Sequence, residues 1–218
     1  MTRIAIQAPS VQTAPGSFNI PIATFPVPAK STAIDVNKVA ADITTSINAA
    51  IANKDYSALS KLFTETGYWR DHLALTWEFR TAQGHGPILQ LLQKAAGSKD
   101  GFRLVKVEVD DRVPHRAPKV QALDPQKTVP GVHFFVRVET VVGRGVGVVH
   151  AVEENGVWKL FTLYTSLREI KGHEERTYKR RPAGVEHGGI PGRMNWAERR
   201  QLEVDFKDGS EPAVFIVG

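Results

Sequence analysis

The chain contains no cysteine among its 218 residues. This absence excludes disulfides, thiolate zinc sites and cysteine nucleophiles, and it fits the cytosol. No apolar run approaches the ~18 residues that a helix needs to span a bilayer. Residues 1–17 lack the apolar segment of a secretory signal. We therefore predict a cytoplasmic protein with no membrane partner.

Several motifs that carry chemistry are also missing. The 7 histidines show no metal-ligand spacing, and neither HExxH nor G-x-S-x-G occurs. We therefore predict no metal site. The glycine-rich run at 143–147 connects two β-rich segments, which favours a hairpin turn over a phosphate loop. The net charge is +5, but the basic residues of 176–200 alternate with glutamates and have no aromatic platform. This pattern indicates a solvated linker and no nucleic-acid partner.

The N-terminal half is helical by pattern. Prolines throughout 1–34 exclude a regular helix and predict an extended arm. From Asp35, a plausible N-cap, apolar residues recur at helical spacing to Ile51. A short second helix follows around 56–63. A third is predicted over 84–96, with Pro87 at its first position.

The rest of the core domain is strand-like. Alternating polarity predicts strands over 102–109, 133–142, 145–152 and 158–167. Asn155 and Gly156 form a strong hairpin signal. The residues of 110–130 are expected to form a long loop, and a short helix is expected near 195–204. The order predicts an α+β fold, in which three N-terminal helices pack on a curved antiparallel sheet to form a cone with a pocket.

The last residues, 212–218, form a short apolar run that ends in Gly218. Such a run delivers the first glycine of the G-x-G-x-x-G turn in a dinucleotide-binding βαβ unit. A plain C-terminal edge strand is the alternative interpretation of these residues.

Five blocks, 68–81, 157–167, 171–175, 188–196 and 212–218, carry a more specific signal when they are taken together in this order. They resemble the N-terminal region of fungal flavin-containing monooxygenases, over about 35–218. The resemblance implies a SnoaL-like cone domain, similar to nuclear transport factor two and ketosteroid isomerase, ahead of a flavin core. It divides the chain into an arm (1–34), a cone (35–170), a linker (171–211) and a truncated first Rossmann strand (212–218).

The full-length family uses FAD and NADPH, but Gly218 is the only position of the flavin fingerprint that this sequence contains. We therefore expect no cofactor to be bound by this chain, and no monooxygenase activity from it alone. Whether it is a natural truncation, the result of a misplaced gene boundary or a piece made for expression stays open.

Asp71 and His150 are the candidate catalytic residues, since related cone domains use an Asp or His as a general acid or base. Period-two alternation does not decide whether Asp71 faces the pocket. The alternative interpretation is that Asp71 pairs with Arg70 or Arg80, or caps a turn. His133 is a second strand histidine with the same open choice, and a structural role stays open for either histidine.

Four aromatic residues are candidates for lining the pocket, although such residues are also typical of a core. They are Trp69, Trp77, Phe79 and Tyr164. The partners considered are a hydrophobic small molecule and a second copy of the chain, which would pair through an open sheet face formed by Phe134, Val136, Val138 and Thr140 or by the alternate residues.

Three functions follow. The favoured one is an accessory ligand-binding or dimerisation domain of a flavin monooxygenase. The alternative is a stand-alone isomerase, cyclase or hydratase of secondary metabolism, with Asp71 or a pocket histidine moving a proton. The third is a purely structural module without a ligand.

Overall fold

The computed structural model describes residue 25, residues 33–181 and residues 192–205. The chain divides into two compact units, Met1–Glu175 and Arg176–Gly218. The predicted Rossmann strand with Gly218 and most of the predicted arm lie outside the described residues. The four-part division made from the sequence therefore stays a prediction.

Three helices precede most of the sheet, as predicted. They are α1 (Val36–Ala52), α2 (Tyr56–Lys61) and α3 (His85–Gly97). The Asp35 side chain accepts a hydrogen bond from the amide of Lys38 and begins α1, which confirms its role as an N-cap. Asp55 begins α2 in the same way, by accepting from the amide of Ala58. The predicted bounds of α3, 84–96, are each within one residue of the observed ones, but Pro87 is its third residue and not its first.

Seven strands form one sheet: β1 (Phe63–His72), β2 (Phe79–Gln83), β3 (Leu104–Val109), β4 (Lys119–Ala122), β5 (Pro130–Thr140), β6 (Gly143–Glu154) and β7 (Val157–Ile170). Their order is β2-β1-β7-β6-β5-β3, and β4 also pairs with β5. Asn155 and Gly156 join β6 to β7, and both adopt positive φ angles, as the hairpin signal predicted. The α+β class with a curved sheet is thus confirmed.

Three expectations about the sheet were wrong. The sheet is not wholly antiparallel, because β1 runs parallel to β7. The segment 110–130 is not one long loop, because it contains a short 3-10 helix (Pro114–Arg116) and β4. Similarly, the glycines of 143–147 begin β6 and do not form the turn itself. The parallel pairing was missed because local periodicity does not encode which distant strands pair. The strand β4 was missed because its four mostly exposed residues give little apolar signal.

The sheet has two distinct faces. Its inner face packs against α1, α2 and α3 and forms one apolar core. The strand residues of this core are Phe63, Trp69, Val107, Val132, Phe134, Val136, Val138, Val149, Ala151, Leu160 and Leu163. Phe134, Val136 and Val138 are therefore buried beneath the helices, so they do not form the open face. The alternate residues of β5 lie there, because successive side chains of a strand point to opposite faces.

Two smaller features complete the described structure. Phe25 packs against Phe161 with ring centroids 5.3 Å apart, in a small apolar cluster separate from the main core. In the second unit, α4 (Trp196–Val204) begins at Asn195, which forms a reciprocal capping box with Glu198 and confirms the predicted helix. Among the described helices, none is both long and apolar enough to cross a membrane.

Candidate functional site

Asp71 lies on the inner face and has no solvent-exposed surface. Its Oδ1 accepts a hydrogen bond from the Thr165 hydroxyl at 2.6 Å. Its Oδ2 accepts from the amide of Leu75 at 3.0 Å. The Trp69 indole donates to the same Thr165 hydroxyl at 2.9 Å. The parallel register places Asp71 opposite Thr165 and Trp69 opposite Leu163, so these buried polar groups meet on neighbouring strands.

This carboxyl caps a turn, which was one of the interpretations left open. The chain leaves β1 through Leu73, whose positive φ is unusual for a residue with a bulky side chain. Asp71 holds the turn by accepting from the backbone of Leu75. Burial raises the pKa of Asp71, and the hydrogen bonds from Thr165 and the backbone oppose that rise. No Arg or Lys pairs with it among the described residues.

The four predicted pocket aromatics do not form one wall. Trp69 is buried in the core and stacks on Phe63 at 5.8 Å. Trp77 is 52% exposed and packs edge-on against Phe102, and Phe79 is 70% exposed. Phe79 and Tyr164 lie on the other side of the sheet from Trp69. Phe79 pairs with His72 and Tyr164 pairs with Arg70, and both partners alternate with Trp69 along β1, so their side chains point to the opposite face.

The sheet surface that points away from the three helices is called the open face here, and strand register divides it into three rows. Each row crosses β5, β6, β7, β1 and β2 in that order. The rows are His133, His150, Thr162, Tyr68 and Gln83; then Phe135, Val148, Tyr164, Arg70 and Thr81; then Arg137, Val146, Ser166, His72 and Phe79. Most of these side chains are half-buried.

A hydrogen-bond chain links three residues of the open face. The Arg70 Nε donates to His72 Nε2 at 2.9 Å, and the Tyr164 hydroxyl lies 3.3 Å from His72 Nδ1. The rings of Phe79 and Tyr164 each pack edge-on against the His72 ring at 5.0 Å. The structure thus brings together Phe79 and Tyr164, two of the predicted ligand residues, around a histidine that sequence reasoning did not select.

His133 and His150 form a second chain on the same face, so neither lies inside the cone. His133 Nδ1 is 3.1 Å from His150 Nε2, and His150 Nδ1 is 2.8 Å from the Thr162 hydroxyl. Burial, together with the charges of His150 and Lys119, lowers the pKa of His133 to about 4. Burial also lowers the pKa of His150. Both rings are therefore neutral at pH 7. A neutral ring can both donate and accept a hydrogen bond, as this chain requires.

Charge is distributed unevenly over the open face. The two central strands, β6 and β7, contribute only neutral side chains to the three rows. Basic residues lie on the flanking strands and loops. They form two clusters, and in each cluster two basic side chains pair with one carboxylate. Glu108 pairs with Lys106 and Arg137, and Asp110 pairs with Arg112 and Arg116. The face therefore has a neutral centre and a basic rim.

Asp110 fixes part of this rim. Its side chain is only 1% exposed, and it receives hydrogen bonds from Arg112 at 2.6 Å and 2.9 Å and from Arg116 at 2.6 Å. The hydrogen bonds from Arg112 and then Arg116 hold the pKa of Asp110 well below its usual range. The Arg116 guanidinium in turn lies 5.9 Å from the centroid of the Phe135 ring. At this distance a cation is attracted by the face of an aromatic ring.

Sequence reasoning missed His72, Thr165 and Asp110. Thr165 and Asp71 gave no signal as a pair, because they are 94 positions apart and meet only through the parallel register. The alternation of Tyr68, Arg70 and His72 with Trp69 and Asp71 was visible in the sequence. Both sets contain aromatic and charged residues, so polarity did not reveal which set faced the core. Within the described residues, no three His, Asp or Glu side chains form a metal-binding group.

Comparison with known proteins gives structural likeness only. No family model matches the chain. No curated protein matches it either. Solved structures do resemble it. A cystatin-like domain of unknown function from Nostoc punctiforme is 15% identical with a TM-score of 0.44, over 83% of this chain and 90% of that one.

Two further structures cover a smaller part of the chain. An NTF2-like protein of unknown function from Pseudomonas putida is 11% identical with a TM-score of 0.42, over 62% of this chain and 87% of its own. ActVI-ORFA from Streptomyces coelicolor is 12% identical with a TM-score of 0.41, over 62% and 98%. The fold of this chain is defined by its own strand order and helix packing, and not by its likeness to these structures.

Proposed function

We propose that this chain is a non-catalytic accessory domain of a flavin-dependent monooxygenase, and that its open face binds a second copy of the chain. The observation that carries the proposal is the neutral, half-buried centre of the sheet face that α1, α2 and α3 leave uncovered. The oxidative chemistry would belong to a flavin core, for which FAD and NADPH are the family's cofactors.

The size of the open face supports a protein partner. Five strands spaced ~4.8 Å apart and three rows ~6.8 Å apart give a footprint of roughly 500 Å². Two such faces together bury on the order of 1,000 Å², which is near the lower limit for a specific protein interface. Small-molecule sites are usually concave pockets, whereas this surface extends across the width of the sheet.

The charge distribution supports a second copy as the partner. Protein interfaces place uncharged residues at the centre and charged residues at the rim. A two-fold axis through β6 and β7 would lay the neutral centre on itself, as an isologous contact requires. Because both rims are basic, they would repel each other, and added salt would screen that repulsion.

Sedimentation equilibrium of the full chain tests this proposal. The wild type is expected to dimerise at micromolar concentration, and more tightly in 0.5 M than in 0.05 M NaCl. Val148→Arg places a charge at the centre of the face and is expected to abolish the dimer. Ala41→Arg adds the same charge to the exposed side of α1 and is the matched control.

A monomer at all concentrations, or equal effects of the two substitutions, would reject self-association through this face. A dimer that weakens with salt would indicate opposite charges at the contact and would contradict a contact between two basic rims. The flavin assignment has its own test. Transcript sequence beyond the Gly218 codon should continue with the two remaining fingerprint glycines, and a stop codon there would refute it.

A stand-alone acid–base enzyme is the second candidate, and the burial of Asp71 without a cationic partner among the described residues favours it. A raised pKa suits a carboxyl to proton transfer near neutral pH. Against this, both oxygens of Asp71 already accept hydrogen bonds from the protein.

A carbon-13 NMR titration of the Asp71 carboxyl with and without 2-naphthol, a hydrophobic probe, separates the two functions. A catalytic carboxyl should respond to the probe, and a turn cap should not. Asp71→Asn assigns the signal, and Asp42→Asn removes an exposed carboxylate as the control.

A further inference from the structure

The hydrogen-bond chain on the open face has a fixed direction, which begins at Arg70. A guanidinium only donates hydrogen bonds and stays protonated in proteins. Its Nε donates to His72 Nε2 at 2.9 Å. This nitrogen of His72 therefore carries the lone pair, and His72 is a neutral imidazole in this arrangement.

The direction continues to Tyr164. A neutral imidazole with an unprotonated Nε2 carries its proton on Nδ1. His72 Nδ1 lies 3.3 Å from the Tyr164 hydroxyl, so it donates to the tyrosine oxygen. The rings of Phe79 and Tyr164, both 5.0 Å from His72, restrict its rotation. The phenolic proton of Tyr164 is consequently left to be donated elsewhere.

We propose that Tyr164 presents this proton outward and donates it to an uncharged acceptor on the second copy of the chain. Tyr164 is thus a specificity residue of the interface. The inference rests on the function proposed above. Tyr164 lies in the middle row on β7, within the neutral centre of the open face. A donor enclosed there without an acceptor would oppose association, since burying an unpaired polar group is unfavourable.

The chemistry of the acceptor follows from what the centre contains. A two-fold axis through β6 and β7 brings the central residues of one copy against those of the other. The acceptors among them are the hydroxyls of Thr162 and Ser166, since both ring nitrogens of His150 already contact His133 and Thr162. None of these acceptors is a carboxylate. The contact is therefore a hydrogen bond between neutral groups, and its contribution should not change with salt.

Tyr164→Phe tests this inference in the full chain. Removing one neutral hydrogen bond is expected to weaken the dimer about tenfold in sedimentation equilibrium. Tyr56→Phe removes the same hydroxyl group from α2, on the helix side, and should leave the dimer unchanged. The ratio of the Tyr164→Phe and wild-type constants should be equal in 0.05 M and 0.5 M NaCl.

A spectroscopic measurement checks the direction of the hydrogen-bond chain. A merely structural tyrosine would not require this direction. Nitrogen-15 NMR of the His72 ring should show the proton on Nδ1 in the wild type. Arg70→Met should release that preference and give a mixture of tautomers.

The failures of the two proposals are distinguishable. A wild-type dimer that Tyr164→Phe leaves intact, or a His72 proton on Nε2, overturns this inference while self-association stands. A salt-dependent loss in Tyr164→Phe points to a charged acceptor and also overturns it. A wild type that stays monomeric overturns the proposed function and this inference together.

Discussion

His133 should make the domain lose stability in mild acid. Its ring is only 8% exposed and contacts His150 on one side and Phe135 at 5.1 Å on the other. The described positive groups near it are the paired residue Lys119 and Arg116, which lies over Phe135. None of these surroundings favours an imidazolium. The folded protein therefore keeps His133 neutral at pH values at which the unfolded chain already binds a proton.

The sign and size follow from linkage. The pKa of His133 is about 4 in the fold, against 6.5 as its ordinary value. Between these values the unfolded state binds more protons, so the free energy of unfolding falls as the pH falls. One pKa unit corresponds to ~1.4 kcal/mol, which gives a loss of roughly 3 kcal/mol when the pH is below 4. At pH 5 the expected loss is about 2 kcal/mol relative to pH 8.

Urea unfolding of the full chain between pH 8 and pH 4.5, followed by tryptophan fluorescence, measures this loss. His133→Gln should remove most of the dependence, and His150→Gln should reduce it, since burial also lowers the pKa of His150. His173→Gln changes an exposed histidine and is the control. The reasoning is refuted if His133→Gln and the wild type lose stability in parallel between pH 6.5 and pH 5.

Three further predictions test the described contacts, with urea unfolding at pH 7 as the measurement. Thr165→Val leaves Asp71 without its hydroxyl donor and should cost ~2–3 kcal/mol, whereas Thr165→Ser should cost much less; equal losses would contradict the role of the hydroxyl. Phe134→Ala should cost ~3–5 kcal/mol because it opens a cavity beneath the helices. Phe135→Ala on the open face should cost clearly less, and the reverse order would mean that the two faces of β5 are exchanged. Asp110→Asn should cost about 2 kcal/mol through weaker hydrogen bonds to Arg112 and Arg116, and no loss would show that this pairing contributes nothing.

The helices were predictable because their signals are local. The stripe from Val36 to Ile51 has helical spacing, and Asp35 supplies the first-turn hydrogen bond that such a stripe needs at its start. The hairpin at Asn155 and Gly156 was predictable for the same reason. Both residues adopt positive φ angles, which Asn and Gly tolerate better than most other residue types do.

The candidate site was less predictable, because it depends on pairing between distant strands. Aromatic residues usually lie in a core, so Trp77 and Phe79 were expected beside Trp69. They are exposed because the turn through Leu73 carries the chain to an edge strand. His72 gave no signal in the sequence, since its partners Arg70, Phe79 and Tyr164 come from three strands. Only Arg70 is a close neighbour along the chain.

The parallel pairing of β1 with β7 is the feature that links the two faces to function. It places Asp71 opposite Thr165 on the inner face, and it places Arg70 opposite Tyr164 on the open face. The inner pair is enclosed and fully hydrogen-bonded, so it stabilises the turn that ends β1. The outer pair belongs to the hydrogen-bond chain that begins at Arg70 and ends at Tyr164. Because the Arg70 guanidinium only donates, the direction of this chain is fixed, and the Tyr164 proton is left to point toward solvent. The same strand register therefore assigns stability to the side chains under the helices and, in the proposed function, recognition to those on the open face.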